Sequence, residues 1–221
     1  MKPRTLLAIQ LLATLVIVAL VPGNGTKLGA LLLTWALTFR RIAIQEAALV
    51  VAVCALFTAM NAAALDQGIF GFAHPDILGM PVYELFMWGF YVLHTKRMIG
   101  GPPAPKPTYG TWVLAGLFAM AFATISAAGI LLLVTAVILA VAVYNHHESW
   151  DLAYAGYMVA LGAAVEYTGV HSGQWFYPDN PAGGVPLWFV TMWGGVGLFL
   201  RRLALPVAAT LGRRANGGPA M

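Results

Sequence analysis

The chain has 221 residues, 60% of them hydrophobic and 9% charged, with a net charge of +4. Soluble domains carry about a quarter charged residues, so no water-facing surface can be assembled from this composition and lipid must be the main solvent. The length holds about eight spans of roughly 20 residues with short loops, which excludes a separate soluble domain, and the basic excess belongs to topology rather than to nucleic-acid binding.

The first apolar run, about 5–21, follows Lys2 and Arg4 in the manner of a signal peptide. A small-x-small cleavage pattern is missing before Pro22, so it reads as a retained first helix. After the break Pro22-Gly23-Asn24-Gly25 come runs at about 28–44 and 46–64. The second of these holds Cys54, the lone cysteine, which excludes an intrachain disulfide and reads as a small buried side chain. Further runs follow at about 81–95, 110–125, 129–145, 150–168 and 185–203, with a weaker break at Ser126-Ala127-Ala128-Gly129. The expected fold is therefore all-α, a polytopic bundle of about eight transmembrane helices.

On this map Lys2, Arg4, Arg40, Arg41, Lys96, Arg97, Lys106, Arg201, Arg202, Arg213 and Arg214 fall on one side, and Lys27 on the other. That is a strong positive-inside signal, and a seven-span map would break it. It predicts both termini and the 98–109 loop on the cytoplasmic side of a bacterial-type inner membrane. Segments 65–79 and 171–184 then face outward.

The chain also repeats itself. Residues 68–97 align without a gap on 173–202, an offset of 105, with eight identities in thirty positions. Chance gives roughly two to three for such a composition. The identities are Gly68/Gly173, Gly79/Gly184, Pro81/Pro186, Met87/Met192, Trp88/Trp193, Gly89/Gly194, Leu93/Leu198 and Arg97/Arg202. Phe70/Trp175, Phe72/Tyr177, Tyr83/Trp188 and Lys96/Arg201 match in kind, and the same offset pairs Glu46 with Asp151 and Asn61 with Glu166. Two four-helix repeats, 1–105 and 106–221, are expected to form one membrane domain. An even number of spans orients both copies alike, about an axis near the membrane normal. Pro81 and Pro186 suit the first turn of a helix. Gly194, Gly195 and Gly197 suit close helix approach.

Carboxylates are the scarce chemistry. Glu46, Glu148 and Asp151 lie near helix ends beside Arg40 and Arg41, where interfacial pairing explains them. His146-His147-Glu148 hints at a metal, but adjacent helical residues point about 100° apart, so no metal site is expected. In the outer half, Glu84 is expected about one turn into the fourth helix. Glu166 is expected about one turn before the end of the seventh, with Asn61 at the matching depth of the third. Asp66, His74, His171 and Asp179 sit in the outer loops. A carboxylate inside a span points to function by default. The repeat equivalent of Glu84 is Phe189 and that of Glu166 is Asn61, as expected of a duplicated scaffold with one composite site. Glu84 and Glu166 are the candidate acid and base. Glu84, Trp88 and Tyr91 share one helical face. With Asn61, Trp175, Tyr177, Trp188, Trp193 and His171, the two aromatics are the candidate substrate-binding residues. Aromatic faces can stabilise a carbocation, although aromatic belts are also ordinary at membrane interfaces.

From Asn61 onward, N-A-A-A-L-D-Q-G-I-F-G-F and then G-M-P-V-Y-E-L-F-M-W-G-F-Y resemble the lycopene cyclase domain. This is the small membrane type that occurs as heterodimers or tandem fusions of one helical unit. The resemblance covers about 35 residues per repeat. Of the family's Glu-Glu-like pair only Glu84 matches, and the second copy has Trp188-Phe189. The later segment E-Y-T-G-V-H-S-G-Q-W-F-Y-P also resembles parts of carotenoid hydratase-type membrane proteins. The resemblance implies a terpenoid or carotenoid cyclase, a non-redox enzyme that protonates a long apolar isoprenoid. Two other readings stand beside it: a small carrier, and a lipid- or pigment-binding subunit of a membrane complex. Motifs for nucleotide, zinc or haem are missing, as is a nucleophile elbow, so no cofactor is expected. The expected partners are membrane lipids and an apolar isoprenoid or lipid substrate, with no nucleic acid and with oligomerisation left open.

Overall fold

Each apolar run becomes a helix in the computed structural model, which describes residues 3–179 and 181–215, the last five as backbone. Lys2 and the side chains of Arg213 and Arg214 lie outside the described residues. The helices are α1 (Pro3–Leu20), α2 (Asn24–Phe39), α3 (Ile44–Asp66), α4 (Glu84–Ile99), α5 (Tyr109–Thr124), α6 (Ala128–Asn145), α7 (Ser149–His171) and α8 (Trp188–Phe199). A π turn, Leu200–Ala204, carries α8 on into α9 (Leu205–Ala215). Two short strands, β1 (Gly71–Phe72) and β2 (Trp175–Phe176), pair antiparallel.

Pro3–Leu20, Ile44–Asp66 and Ala128–Asn145 are long and apolar enough to cross a bilayer. The peripheral helices bury one stripe each, such as Lys27, Leu31, Trp35 and Phe39 of α2. Their other faces expose Leu12, Leu33, Leu37, Val51 and Leu133. Exposed apolar surface of this extent calls for lipid around it. By contrast, α4 buries every residue from Met87 to Thr95, and α8 is buried almost all round. A helix that is apolar on all faces belongs inside, and these two form the centre of the bundle. Cys54, expected to be buried, is only half-buried on the flank of α3, with its Sγ packed over Gly89 of α4.

The elements repeat at the spacing seen in the sequence, since 44–66 and 149–171 bound the third helix of each half. At the start of each, an N3 carboxylate reaches back to the N-cap N–H: Ala43 N to Glu46 Oε2 and Glu148 N to Asp151 Oδ2, both 3.2 Å. This is the returning half of a capping box. At the end, Ile69 N bonds Ala64 O (3.0 Å), and Gln174 N bonds Gly169 O (2.8 Å). These are Schellman closures, and they put Gly68 (φ 66°) and Gly173 (φ 70°) in the left-handed region. The paired glycines of the alignment are therefore helix stops.

Equivalent positions also meet. Gly71 pairs with Phe176 in the strand ladder, and the Trp88 and Trp193 rings stack at 4.7 Å. Residues 105 apart can touch their own counterparts only close to an axis that relates the two halves. One expectation shifts here. Pro81 and Pro186 precede their helices, their carbonyls accepting from Glu84 N (3.0 Å) and Phe189 N (3.1 Å) in a single lead-in turn. A residue before proline avoids helical geometry, so neither helix can extend back past its proline, and after the lead-in turn Glu84 is the first residue of α4 rather than one turn into it.

Small residues let α8 lie against α7. A Cβ on Gly197 would fall 2.5 Å from the Tyr154 carbonyl oxygen, and one on Gly162 would fall 2.2 Å from the Trp193 ring. Gly197→Ala must push backbone from backbone and should cost about 1–3 kcal/mol. Gly156→Ala, with nothing within 4 Å, should be neutral or stabilising by up to about 1 kcal/mol. Thermal melts of the two variants in detergent check this, and equal melting would mean that α7 and α8 are not in close contact.

Candidate functional site

At the strand end of the bundle, α3, α4, α7 and α8 converge under β1 and β2. A cavity of about 50 Å³ lies there, lined by Asn61, Phe70, Phe72, Glu84, Trp88, Tyr91, Val165, Glu166, Trp175, Tyr177, Trp188, Met192 and Trp193. Glu84, Glu166, Asn61, Trp88, Tyr91, Trp175, Tyr177, Trp188 and Trp193 are thus brought together from both halves. His171 is placed elsewhere: its Nδ1 bonds the Tyr167 carbonyl (2.9 Å) on the exposed end of α7.

The two carboxyls differ in state. Glu166 takes three buried donors: Trp175 Nε1 (3.1 Å) and Tyr177 OH (2.8 Å) on Oε2, and Trp193 Nε1 (3.1 Å) on Oε1. Glu84 receives one long contact, 3.5 Å from Asn61 Nδ2. The repeat explains the contrast. Where the second half has Glu166, Trp175 and Tyr177, the first has Asn61, Phe70 and Phe72. Two of the three donors to Glu166 are thus replaced by apolar rings where the acceptor is absent, in keeping with the cost of burying an unpaired donor. Phe189, which stands in for Glu84 in the second half, packs edge-on against Tyr167.

Trp88 is sandwiched between Phe57 (3.9 Å between centroids) and Trp193, with Tyr91 set edge-on to both tryptophans. Beyond Phe57 lies an almost wholly apolar slot of about 150 Å³, lined among others by Met60, Phe118, Phe122, Met192 and Val196. Met192 lines both spaces. The slot was not legible in advance, because its residues are ordinary core types. A buried polar chain was also passed over: His94 bridges Gln10 Oε1 (3.1 Å) and the Tyr157 hydroxyl (2.7 Å), tying α1, α4 and α7. A histidine and a glutamine within apolar runs were the available signal.

At the opposite, basic end, each half has an ion-pair cluster. Glu46 binds Lys96 (2.9 Å) and Arg97 (2.6 Å). Asp151 binds Arg202 through Nε (2.8 Å) and Nη2 (2.5 Å), and Glu148 adds a contact of 2.9 Å. His146 and His147 diverge, bonding Thr111 Oγ1 and the Tyr144 carbonyl respectively. Burial, with Arg202 nearby, holds His146 below the usual histidine range.

No family model matches this sequence, and no curated protein does. Two solved structures are similar. One is a crystal structure of MvINS, an Insig homologue from Mycobacterium vanbaalenii, 17% identical, with 76% of this chain and 97% of that one covered and a TM-score of 0.64. The other is a cross-linked trimer of a cysteine variant of MvINS, 17% identical, with 82% and 100% covered and a TM-score of 0.65. These neighbours overturn the expected kinship to lycopene cyclases and, with it, the expected cyclase activity and the expectation of an enzyme. The geometry agrees. Glu166 is saturated by fixed donors, and a cavity of about 50 Å³ has room for a few waters, not for a long polyene. The likeness establishes the fold: this chain is a multi-pass membrane helix bundle of the kind seen in an Insig homologue.

Proposed function

We propose that this chain is a lipid-binding membrane protein whose cavity takes the polar end of one amphipathic lipid between Glu84 and Glu166. The observation that carries the reading is the state of Glu84. It is a carboxyl among aromatics with a single long hydrogen bond among the described residues, and an unpartnered carboxyl there is costly. A lipid hydroxyl or amide N–H supplies the missing donor. Asn61, Trp88, Tyr91, Trp175, Tyr177, Trp188 and Trp193 wall that polar end. The adjoining hydrocarbon lies in the apolar slot past Met192, whose flexible side chain can yield. An isoprenoid-derived lipid with one hydroxyl suits flat aromatic walls. Repeats 1–105 and 106–221 each contribute one side of this site. Kinship of fold with an Insig homologue supports a binding role, and the cross-linked trimer of that protein supports a homo-oligomer here. The basic end supports an inner-membrane orientation with the 98–109 loop cytoplasmic, which impermeant labelling of a cysteine placed there would read.

Native mass spectrometry and lipid extraction of the purified protein test the binding site. The wild type should retain one lipid per chain. Glu84→Leu should lower occupancy about fivefold, the value of one hydrogen bond, while Glu84→Gln, which keeps an acceptor, should fall between. Equal occupancy in wild type and Glu84→Leu would end the proposal.

A further inference from the structure

A crevice of about 730 Å³ opens at the basic end, between the 100–107 loop, the π turn and α9. That is within the range of about 300–1,000 Å³ usual for ligand sites. We infer that it is a second ligand site, one that holds the phosphate of an anionic lipid headgroup. It does not depend on the cavity at the other end.

Charge is the first ground. Lys96, Lys106 and Arg201 line the crevice, and among the described residues no carboxylate does. Among the described residues, Lys96, Arg97, Arg201 and Arg202 at this end are opposed by Glu46, Glu148 and Asp151, and those three carboxylates are turned to their ion pairs rather than into the crevice.

Arg201 is the second. Its repeat counterpart Lys96 is paired with Glu46 at 2.9 Å. Arg201 is 1% exposed, yet its Nε has no hydrogen-bond partner. Asp151 Oδ1 and Glu148 Oε2 both stand off at 3.6 Å, because Arg202 holds each carboxylate more closely. Among the described residues its one hydrogen bond runs from Nη1 to the Pro102 carbonyl at 2.9 Å, and the Tyr154 ring lies 5.8 Å from the guanidinium. A buried guanidinium donor without a partner is costly, and phosphate oxygens suit this fork.

The walls decide the source of the phosphate. Pro102, Pro103 and Pro107 stiffen the rim and contribute no backbone N–H donors of their own, which leaves the side-chain cations as the principal holders of an anion. Leu49, Trp112, Leu205 and Val207 are apolar walls, and Trp112 is half exposed toward the lipid-facing side of α5. Cations below and hydrocarbon beside suit a headgroup with its first acyl carbons. Basic pockets between membrane helices hold anionic headgroups in this way.

The test uses the full chain in neutral detergent. Dihexanoyl phosphatidylglycerol, dihexanoyl phosphatidylcholine and sodium phosphate are titrated separately and followed by native mass spectrometry. Phosphatidylglycerol should bind once per chain, at least about fivefold more tightly than phosphatidylcholine. Lys106→Gln should weaken it about fivefold, and Ala208→Trp, which fills the crevice, should abolish it. Arg201→Gln also disturbs a buried ion-pair cluster, so these two variants carry the decision. Equal binding of both lipids, or wild-type binding by both variants, overturns the site. Displacement of the lipid by millimolar sodium phosphate would assign the crevice to free phosphate and overturn the lipid source.

Discussion

Glu166→Leu should unfold at a temperature roughly 10 °C below the wild type in detergent. The side chain is a hub: two indole N–H groups and one phenol lose their acceptor together, and all three are buried. Orphaned buried donors cost about 1–3 kcal/mol each. The total is then roughly 3 kcal/mol or more, partly offset because a buried carboxyl is also removed. Each kcal/mol shifts the midpoint of a chain this size by about 2–4 °C. Glu166→Gln separates acceptor from charge. An amide oxygen at the Oε2 position keeps Trp175 and Tyr177, while its NH2 then opposes Trp193. That variant should lose about a third of what Leu loses. A Leu variant that melts with the wild type would show that the three donors find other acceptors.

Asp151→Asn should cost about 3–5 kcal/mol, the usual penalty for breaking a buried ion pair from one side. Asp151 is fully buried, and its two oxygens take two Arg202 nitrogens side by side. An amide can accept from one of them but presents its own N–H to the other. Glu148, half exposed, remains near Arg202 and limits the loss. The matched change, Glu46→Gln, should cost markedly less. The Lys96 side chain is 35% exposed and Arg97 also bonds the Phe39 and Arg41 carbonyls, so water and backbone take over. Paired melts of the two variants measure the difference. Equal losses would mean that burial does not set the cost of these clusters.

The helices and their doubling were legible because both rest on patterns that chain order preserves: apolar run length, and identities at a fixed offset. The convergence of Glu84, Glu166 and the tryptophans followed from the same offset, since matched positions lie at matched depth. What each carboxyl does was not legible. Phe70/Trp175 and Phe72/Tyr177 looked alike as aromatics, yet the N–H and O–H that separate them decide that Glu166 is saturated and Glu84 is not. Hydropathy cannot see that difference. The cyclase reading failed for a related reason. Glycine, proline and aromatic spacing reports how a helix enters the membrane, which unrelated proteins must also solve, and it carries no information on reaction.

The ladder contact of Gly71 with Phe176 has one more meaning. A surface that meets its own counterpart is isologous, the geometry of a closed homodimer. If the two repeats of the sequence are the units, they meet as two subunits of such a dimer would, joined through the proline-rich segment 100–107. Symmetry breaking is then cheap. A substitution in either half appears once rather than twice, so one protomer-like half can carry Glu84 while the other carries Glu166, an arrangement closed to a true homodimer, in which both carboxyls would have to appear on both sides.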